Sequence, residues 1–158
     1  MTTPSLEMRR ARASDAAALT RIAHAAKRHW GYSDALIELW NDELTVTADF
    51  VDAHPVYVAT RGATVVGFYA LSHENDVFEL EHMWVDPLHI GNGVGRQLFT
   101  HAVATARALG GALLAIAADP NAEAFYSGLG ARRAGEIAST PPGRVLPLLF
   151  FDLAAAAS

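Results

Sequence analysis

Three glycines at every second position stand between a proline and an amphipathic run in "DPLHIGNGVGRQLF", Asp86 to Phe99. Such a segment forces a strand to end, a sharp turn to follow and a helix to begin. Two familiar phosphate loops do not fit it. A dinucleotide fingerprint beginning at Gly91 needs glycine where Arg96 stands, and one beginning at Gly93 needs it at Leu98. A Walker loop needs a closing Gly-Lys-Ser/Thr, which is absent. The segment leaves room for something against a helix N-terminus, where the first backbone N–H groups lack internal partners and the dipole is positive. An anion held by main-chain amides is one occupant, and a tight turn that holds nothing is the other.

The patterns around the turn predict the rest. "LEMRRA" reads as a first strand, with Ser14 and Asp15 as cap chemistry for a helix that aligns Leu19, Ile22, Ala23, Ala26 and Trp30 and stops at Gly31. "YSDALIELWNDEL" predicts a second helix capped by Ser33 or Asp34, and "TADFVDAHP" a short helical turn. Three β-rich runs follow between Val56 and Pro87, split by "RGAT" and "HEND", links short enough for an antiparallel meander. Beyond the glycines, Leu98, Phe99, Ala102, Val103, Ala106 and Leu109 mark a helix ended by Gly110-Gly111. "ALLAIAA" is a strand buried on both faces, Asp119-Pro120 opens a helix to about Gly130, and "RRAGEIA" and "VLPLLFFDL" are closing strands. A single helix between "FELEHMWV" and "ALLAIAA" makes those two strands parallel by a right-handed crossover. The expected fold class is α/β: a mixed, mostly antiparallel sheet with one parallel, splayed pair and helices on both faces. Residues 1–153 form one domain in this reading, and 154–158 a flexible Ala-rich tail.

Composition narrows the function. The 158 residues include no cysteine, which removes disulfides, thiolate metal sites and cysteine nucleophiles, and no metal is expected. Net charge is −5, and the basic residues cluster only at Arg9, Arg10 and Arg12, too little for a nucleic-acid face. The first fifteen residues lack the apolar core of a signal peptide, and no run reaches the ~20 apolar residues of a membrane span. A cytoplasmic location without membrane contact is the expectation.

"VDPLHIGNGVGRQLF" resembles the signature of the GCN5-related N-acetyltransferases (GNAT), in which a strand ending Val-x-Pro runs into (Arg/Gln)-x-x-Gly-x-(Gly/Ala). Gly93-Val94-Gly95 match the Gly-x-Gly, while Ile90 stands where the family carries Arg or Gln. "DPNAEAFYSGLGARRAGE" resembles the family's second segment, with Asn121, Phe125, Tyr126 and Gly130 in equivalent places and Ala131 replacing a common Phe. The resemblance covers roughly Val56 to Glu136. It implies acetyl-CoA as co-substrate, held by the amides of Ile90, Gly91, Asn92, Gly93, Val94, Gly95 and Arg96, by the main chain of Met83 and Val85, and by Asn121 and Tyr126.

Acetyl transfer to an amine requires a proton acceptor, an oxyanion donor and an acid for the leaving thiolate. Freeing a lysine-like amine of its proton at pH 7 costs about 4.6 kcal/mol. In "FELEHMWV", Glu79 and Glu81 share one face and His82 the other. Glu81 leads as base, followed by Glu79 and then His82; burial against acyl carbons would raise either glutamate, and a solvated sheet face is the alternative. Tyr126 is the expected acid. Trp30, Tyr32, Asp34 and Trp40 could form an aromatic acceptor pocket, with Trp30, Tyr32 and Glu81 as substrate-binding residues, but core packing is the favoured role for both tryptophans. The expected reaction is direct attack by a small-molecule or peptide amine, without a covalent enzyme intermediate. A non-catalytic acyl-CoA-binding sensor or structural module is the rival, and exposed sheet edges leave a homodimer open.

Overall fold

The computed structural model describes residues 4–154, and the proposed tail at 155–158 lies outside them. No helix among the described residues is long and apolar enough to cross a membrane. The strands are β1 (Leu6–Arg10), β2 (Val56–Arg61), β3 (Thr64–Glu74), β4 (Val77–Val85), β5 (Leu113–Ala117), β6 (Arg132–Ala138) and β7 (Val145–Asp152). The helices are α1 (Ala16–His29), α2 (Asp34–Leu39), α3 (Asn41–Leu44), α4 (Ala48–Ala53), α5 (Val94–Ala108) and α6 (Glu123–Gly128). The strands join in the order β1-β2-β3-β4-β5-β7-β6, with β4 and β5 parallel. Their paired residues are Val77–Glu79 against Leu113–Ala115, the first three of nine positions in β4. A mostly antiparallel mixed sheet with one parallel pair is thus the architecture the sequence predicts.

Two compact units make up the chain, one of residues 4–70 with 82–100, the other of 71–81 with 101–154. In the first, Leu19, Ile22 and Ala23 of α1 are buried in one cluster with Ile37, Trp40, Leu44, Val51, Val56, Val58 and Phe68. Full burial of each large side chain is worth about 1.5–3 kcal/mol. Gly31, at φ +89, ends the run after α1 as expected. The predicted second helix is broken instead into α2 and α3 at Trp40, whose φ and ψ are −93° and 8°. Trp40 is 2% exposed, so packing of its indole overrides an unbroken helical register. Ser33 is the cap, accepting the N–H of Leu36.

Asp15 does not cap α1 with its side chain. It reaches back to the N–H of Arg12 at 2.8 Å and takes both guanidinium nitrogens of Arg9 at 2.9 and 3.1 Å. The hydrogen-bonded guanidinium of Arg9 and the N–H of Arg12 hold its carboxyl below the usual range, against the opposing effect of burial. A fork-shaped cation within reach outcompetes a helix end for a carboxylate.

In the second unit, α5 ends in paired bonds from Gly110 N–H to Arg107 and from Gly111 N–H to Ala106, with Gly110 at φ +90. That is the Schellman closure expected of the Gly-Gly pair. A Cβ at Gly111 would stand 2.7 Å from Phe78 and 2.9 Å from Leu153, so close packing also demands glycine there. Asp119-Pro120 opens a short 3-10 turn, Pro120–Ala122, before α6. The helix therefore starts later and ends earlier than its pattern predicts.

Candidate active site

The first unit carries the glycine turn. Asp86 is buried, donates its N–H to Val66 at 2.8 Å and accepts the N–H of Leu88 at 3.1 Å. Its second oxygen lies 3.4 Å from Arg21. These bonds fix the end of β4 and the 3-10 turn at Pro87–His89. Gly91 and Gly93 then take φ values of +93° and +76°, which L side chains rarely adopt. A Cβ at either would meet nothing within 4 Å, so neither glycine is there for want of space. The first bond of α5 runs from Gln97 N–H to the carbonyl of Gly93 at 3.1 Å. The N–H groups of Gly93, Val94, Gly95 and Arg96 therefore form the open first turn.

Gly67 explains how this turn is seated. A Cβ there would lie 2.9 Å from the Trp84 carbonyl and 3.0 Å from Leu98, so β3 lets the end of β4 and the start of α5 approach closely. Met83 and Val85 are half-buried on β4, and Asn92 and Arg96 are exposed. Ile90 is 50% exposed and extended, contributing backbone to the turn.

The aromatic segment has its own arrangement. Tyr32 and Trp40 meet edge to face at 4.9 Å. The Lys27 ammonium, on a buried side chain, sits 4.6 Å from the Trp40 ring centre, 5.0 Å from Tyr32 and 5.9 Å from Trp84. These rings already hold a cation of the protein's own. Trp30 is 42% exposed and not part of the core, contrary to the packing its helical face predicts. Asp34 pairs with Arg28. The Trp84 indole donates to His82 Nδ1 at 3.1 Å, while Phe50 and Phe68 flank the imidazole at 5.9 and 5.7 Å.

The second unit carries the carboxylates. Asn75, at φ +55, turns the β3–β4 hairpin. Ser72 Oγ donates to Glu81 Oε1 at 2.5 Å. Glu79 and Glu81 are exposed rather than buried, so the solvated-face alternative describes them in this structure. Even so, Glu79 is raised above the ordinary carboxylate range by desolvation first, then by the charge and hydrogen bond of Glu81 and the charge of Glu74. The Glu81 charge beside it favours a proton on Glu79.

Tyr126 is buried on α6, its ring meeting exposed Phe125 edge on at 5.2 Å. Burial, reinforced by the charge of Asp119, pushes its phenol well above the usual range. Asn121 is exposed, and both its N–H and its Nδ2 donate to Asp119 Oδ1 at 2.9 Å. Asp119 also pairs with Arg144 at 3.5 Å. Sequence reasoning took Asp119 for a cap and passed over Ser72, Gly67, Lys27 and Arg144. Ser72 and Glu81 face each other across a short hairpin, a signal in the pattern, whereas the contacts of Gly67 with Trp84 and of Arg144 with Asp119 join separate elements.

The family model of the GNAT acetyltransferases matches residues 17–131. The chain belongs to that family. It is similar to a GCN5-related N-acetyltransferase from Rhodopseudomonas palustris, at 23% identity, TM-score 0.77, and coverage of 96% of this chain and 97% of that one. It is similar as well to yncA of Salmonella typhimurium, a putative acetyltransferase solved with its cofactor acetyl-CoA, at 23% identity and TM-score 0.76 over 98% and 97% of the two chains. The PaiA N-acetyltransferase of Thermoplasma acidophilum, solved with coenzyme A, shares 17% identity at TM-score 0.75 over 94% and 99%. No curated protein matches the chain.

Proposed function

We propose that the protein transfers an acetyl group from acetyl-CoA to a primary amine of a small molecule or peptide, by direct attack. The observation that carries this is the glycine turn: Gly91 and Gly93 are left-handed, have open space where side chains would stand, and lead straight into the first turn of α5. Donors in that arrangement suit the diphosphate of the coenzyme. The turn fits the group chemically, because its grip needs main-chain N–H groups and no particular side chain. Ile90 therefore costs the site no necessary contact.

The remaining roles are those the family resemblance implies, set beside the local chemistry. Main-chain groups of Met83 and Val85 on β4 run beside the pantetheine arm as a neighbouring strand would, and one N–H there meets the developing oxyanion. Glu79 and Glu81 act as a pair: Ser72 holds Glu81 by a hydrogen bond, and raised Glu79 receives the proton of the attacking amine. Tyr126 keeps its proton and serves the leaving sulfur as a hydrogen-bond donor. Asn121 contacts the coenzyme. With no cysteine in the chain, a cysteine acyl-enzyme is excluded. Exposed Trp30 and half-buried Tyr32 are the acceptor-side residues of this reading.

Melting with and without acetyl-CoA tests it. At about 100 times Kd the coenzyme adds about 2.7 kcal/mol, or roughly 5–11 °C for a domain of this size. Thiol release is then measured with amines, amino acids and peptides as acceptors. A melting shift followed by thiol release supports transfer. A shift with no release across the panel leaves only a coenzyme-binding module, and no shift removes the reading.

A further inference from the structure

We infer that Asp119 and Arg144 together are positioning residues, a clamp that holds Asn121 directly and Tyr126 through the turn leading into α6; the inference rests on the transferase reading above. An ordinary helix-start aspartate needs only to accept a backbone N–H two or three residues on. Asp119 does more. Its side chain is 7% exposed, and one oxygen takes both the backbone N–H and the Nδ2 of Asn121. A carboxylate only accepts, so the amide nitrogen of Asn121 must face it and the amide oxygen must face away. The other oxygen faces Arg144 Nη2, on a side chain 17% exposed. Arg144 Nη1 donates to Ser139 Oγ at 3.0 Å. Its own main chain closes the loop before β7, through Arg144 N–H to Pro141 and Ser139 N–H to Arg144. Ala118 N–H, bonded to Pro147 at 3.0 Å, ties the chain just before Asp119 to the same strand. The loop between β6 and β7 thereby sets the orientation of Asn121, which lies before β6 in the chain.

The same carboxylate acts on the buried phenol. The elements packed most extensively on α6 are the preceding turn and β7. Their charged groups are Asp119 with its partner Arg144, and Asp152, which accepts the N–H of Ala154. On α6 itself stands Glu123, 3.8 Å from Arg133 of β6. Of these, Asp119 is the charge that raises Tyr126. Neutralising it must let the phenol ionise at lower pH, whereas removing Arg144 keeps the charge and releases only the clamp.

Steady-state kinetics with acetyl-CoA and the best amine of the panel tests this on the whole protein. Arg144→Met is expected to lower kcat about tenfold, less than the ~10²–10⁴ that outright loss of a positioned proton-handling group costs. Arg144→Lys recovers part of that loss. In a Tyr126→Phe background Arg144→Met lowers kcat by less than it does alone, because the phenol is gone and only the placing of Asn121 is left to lose. Asp119→Asn brings the alkaline fall of kcat to lower pH, and Arg144→Met does not. Wild-type kcat and pH dependence in both variants, or full additivity with Tyr126→Phe, overturns the inference. Should the wild type itself release no thiol, the transferase reading fails separately, and the side-chain amide signals of Asn121 in an NMR spectrum decide the clamp. They move in both Asp119→Asn and Arg144→Met if it exists, and an unmoved pair in Arg144→Met overturns it.

Discussion

Trp84 donates its indole N–H to Nδ1 of His82 at 3.1 Å. An indole can only donate, so that imidazole nitrogen is an acceptor and the neutral ring carries its hydrogen on Nε2. The Nδ1 lone pair is thus engaged, and the remaining ring nitrogen is a donor, which takes His82 out of contention as the proton acceptor in this state. His82→Asn, which keeps an acceptor near the Nδ1 position, should preserve the acid limb of the rate profile. His82→Leu should cost about 1–3 kcal/mol by leaving the indole unsatisfied. Denaturant titration of both variants measures the difference, and equal stabilities would contradict the bond.

Gly93 and Gly128 form a matched contrast. Neither has an atom within 4 Å of a built Cβ, but Gly93 alone has a left-handed φ. Gly93→Val should cost about 1–2 kcal/mol of backbone strain and abolish the melting shift with acetyl-CoA. Gly128→Ala, at the end of α6, should be neutral or stabilise by about 0.5–1 kcal/mol and keep the shift. A Gly93→Val protein that still melts higher with the coenzyme would show that the turn does not hold it.

The glutamate pair gives a signed pH prediction. With Glu79 as the proposed base, activity needs it ionised, so the rate is expected to fall as pH drops through its raised pKa. Glu81→Gln removes the neighbouring charge that helps to raise it. The acid limb of kcat/KM should therefore move to lower pH while turnover persists. Loss of all turnover in Glu81→Gln would instead assign the base to Glu81.

Asp15 should act on stability alone. Its carboxyl lies below the ordinary value of 3.8, so the stabilisation is present above that pH and is lost as pH falls through the lower folded value. Asp15→Asn should cost about 1–2 kcal/mol at pH 7, since Arg9 is partly solvated. The gap between variant and wild type should close in strong acid, as read by urea unfolding at several pH values. A gap independent of pH would rule out the Arg9 pairing as its source.

Much of this was legible along the chain because its causes are local. Period-2 and period-3.6 patterns mark which faces are apolar, short links such as "RGAT" and "HEND" permit only antiparallel neighbours, and Gly110-Gly111 closes α5 through its own backbone. The glycine turn belongs to the same class, since positive φ at Gly91 and Gly93 is a property of a few consecutive residues. Tertiary structure alone decided where polar and charged side chains find partners. Trp40 breaks a helix to reach a core drawn from several elements, and Lys27 fills the rings that sequence offers to an incoming amine. Asp119 meets Arg144 from another loop. Charges and hydrogen bonds act over a few ångströms of space regardless of separation along the chain, so a linear pattern records the backbone's turns and leaves those meetings unwritten.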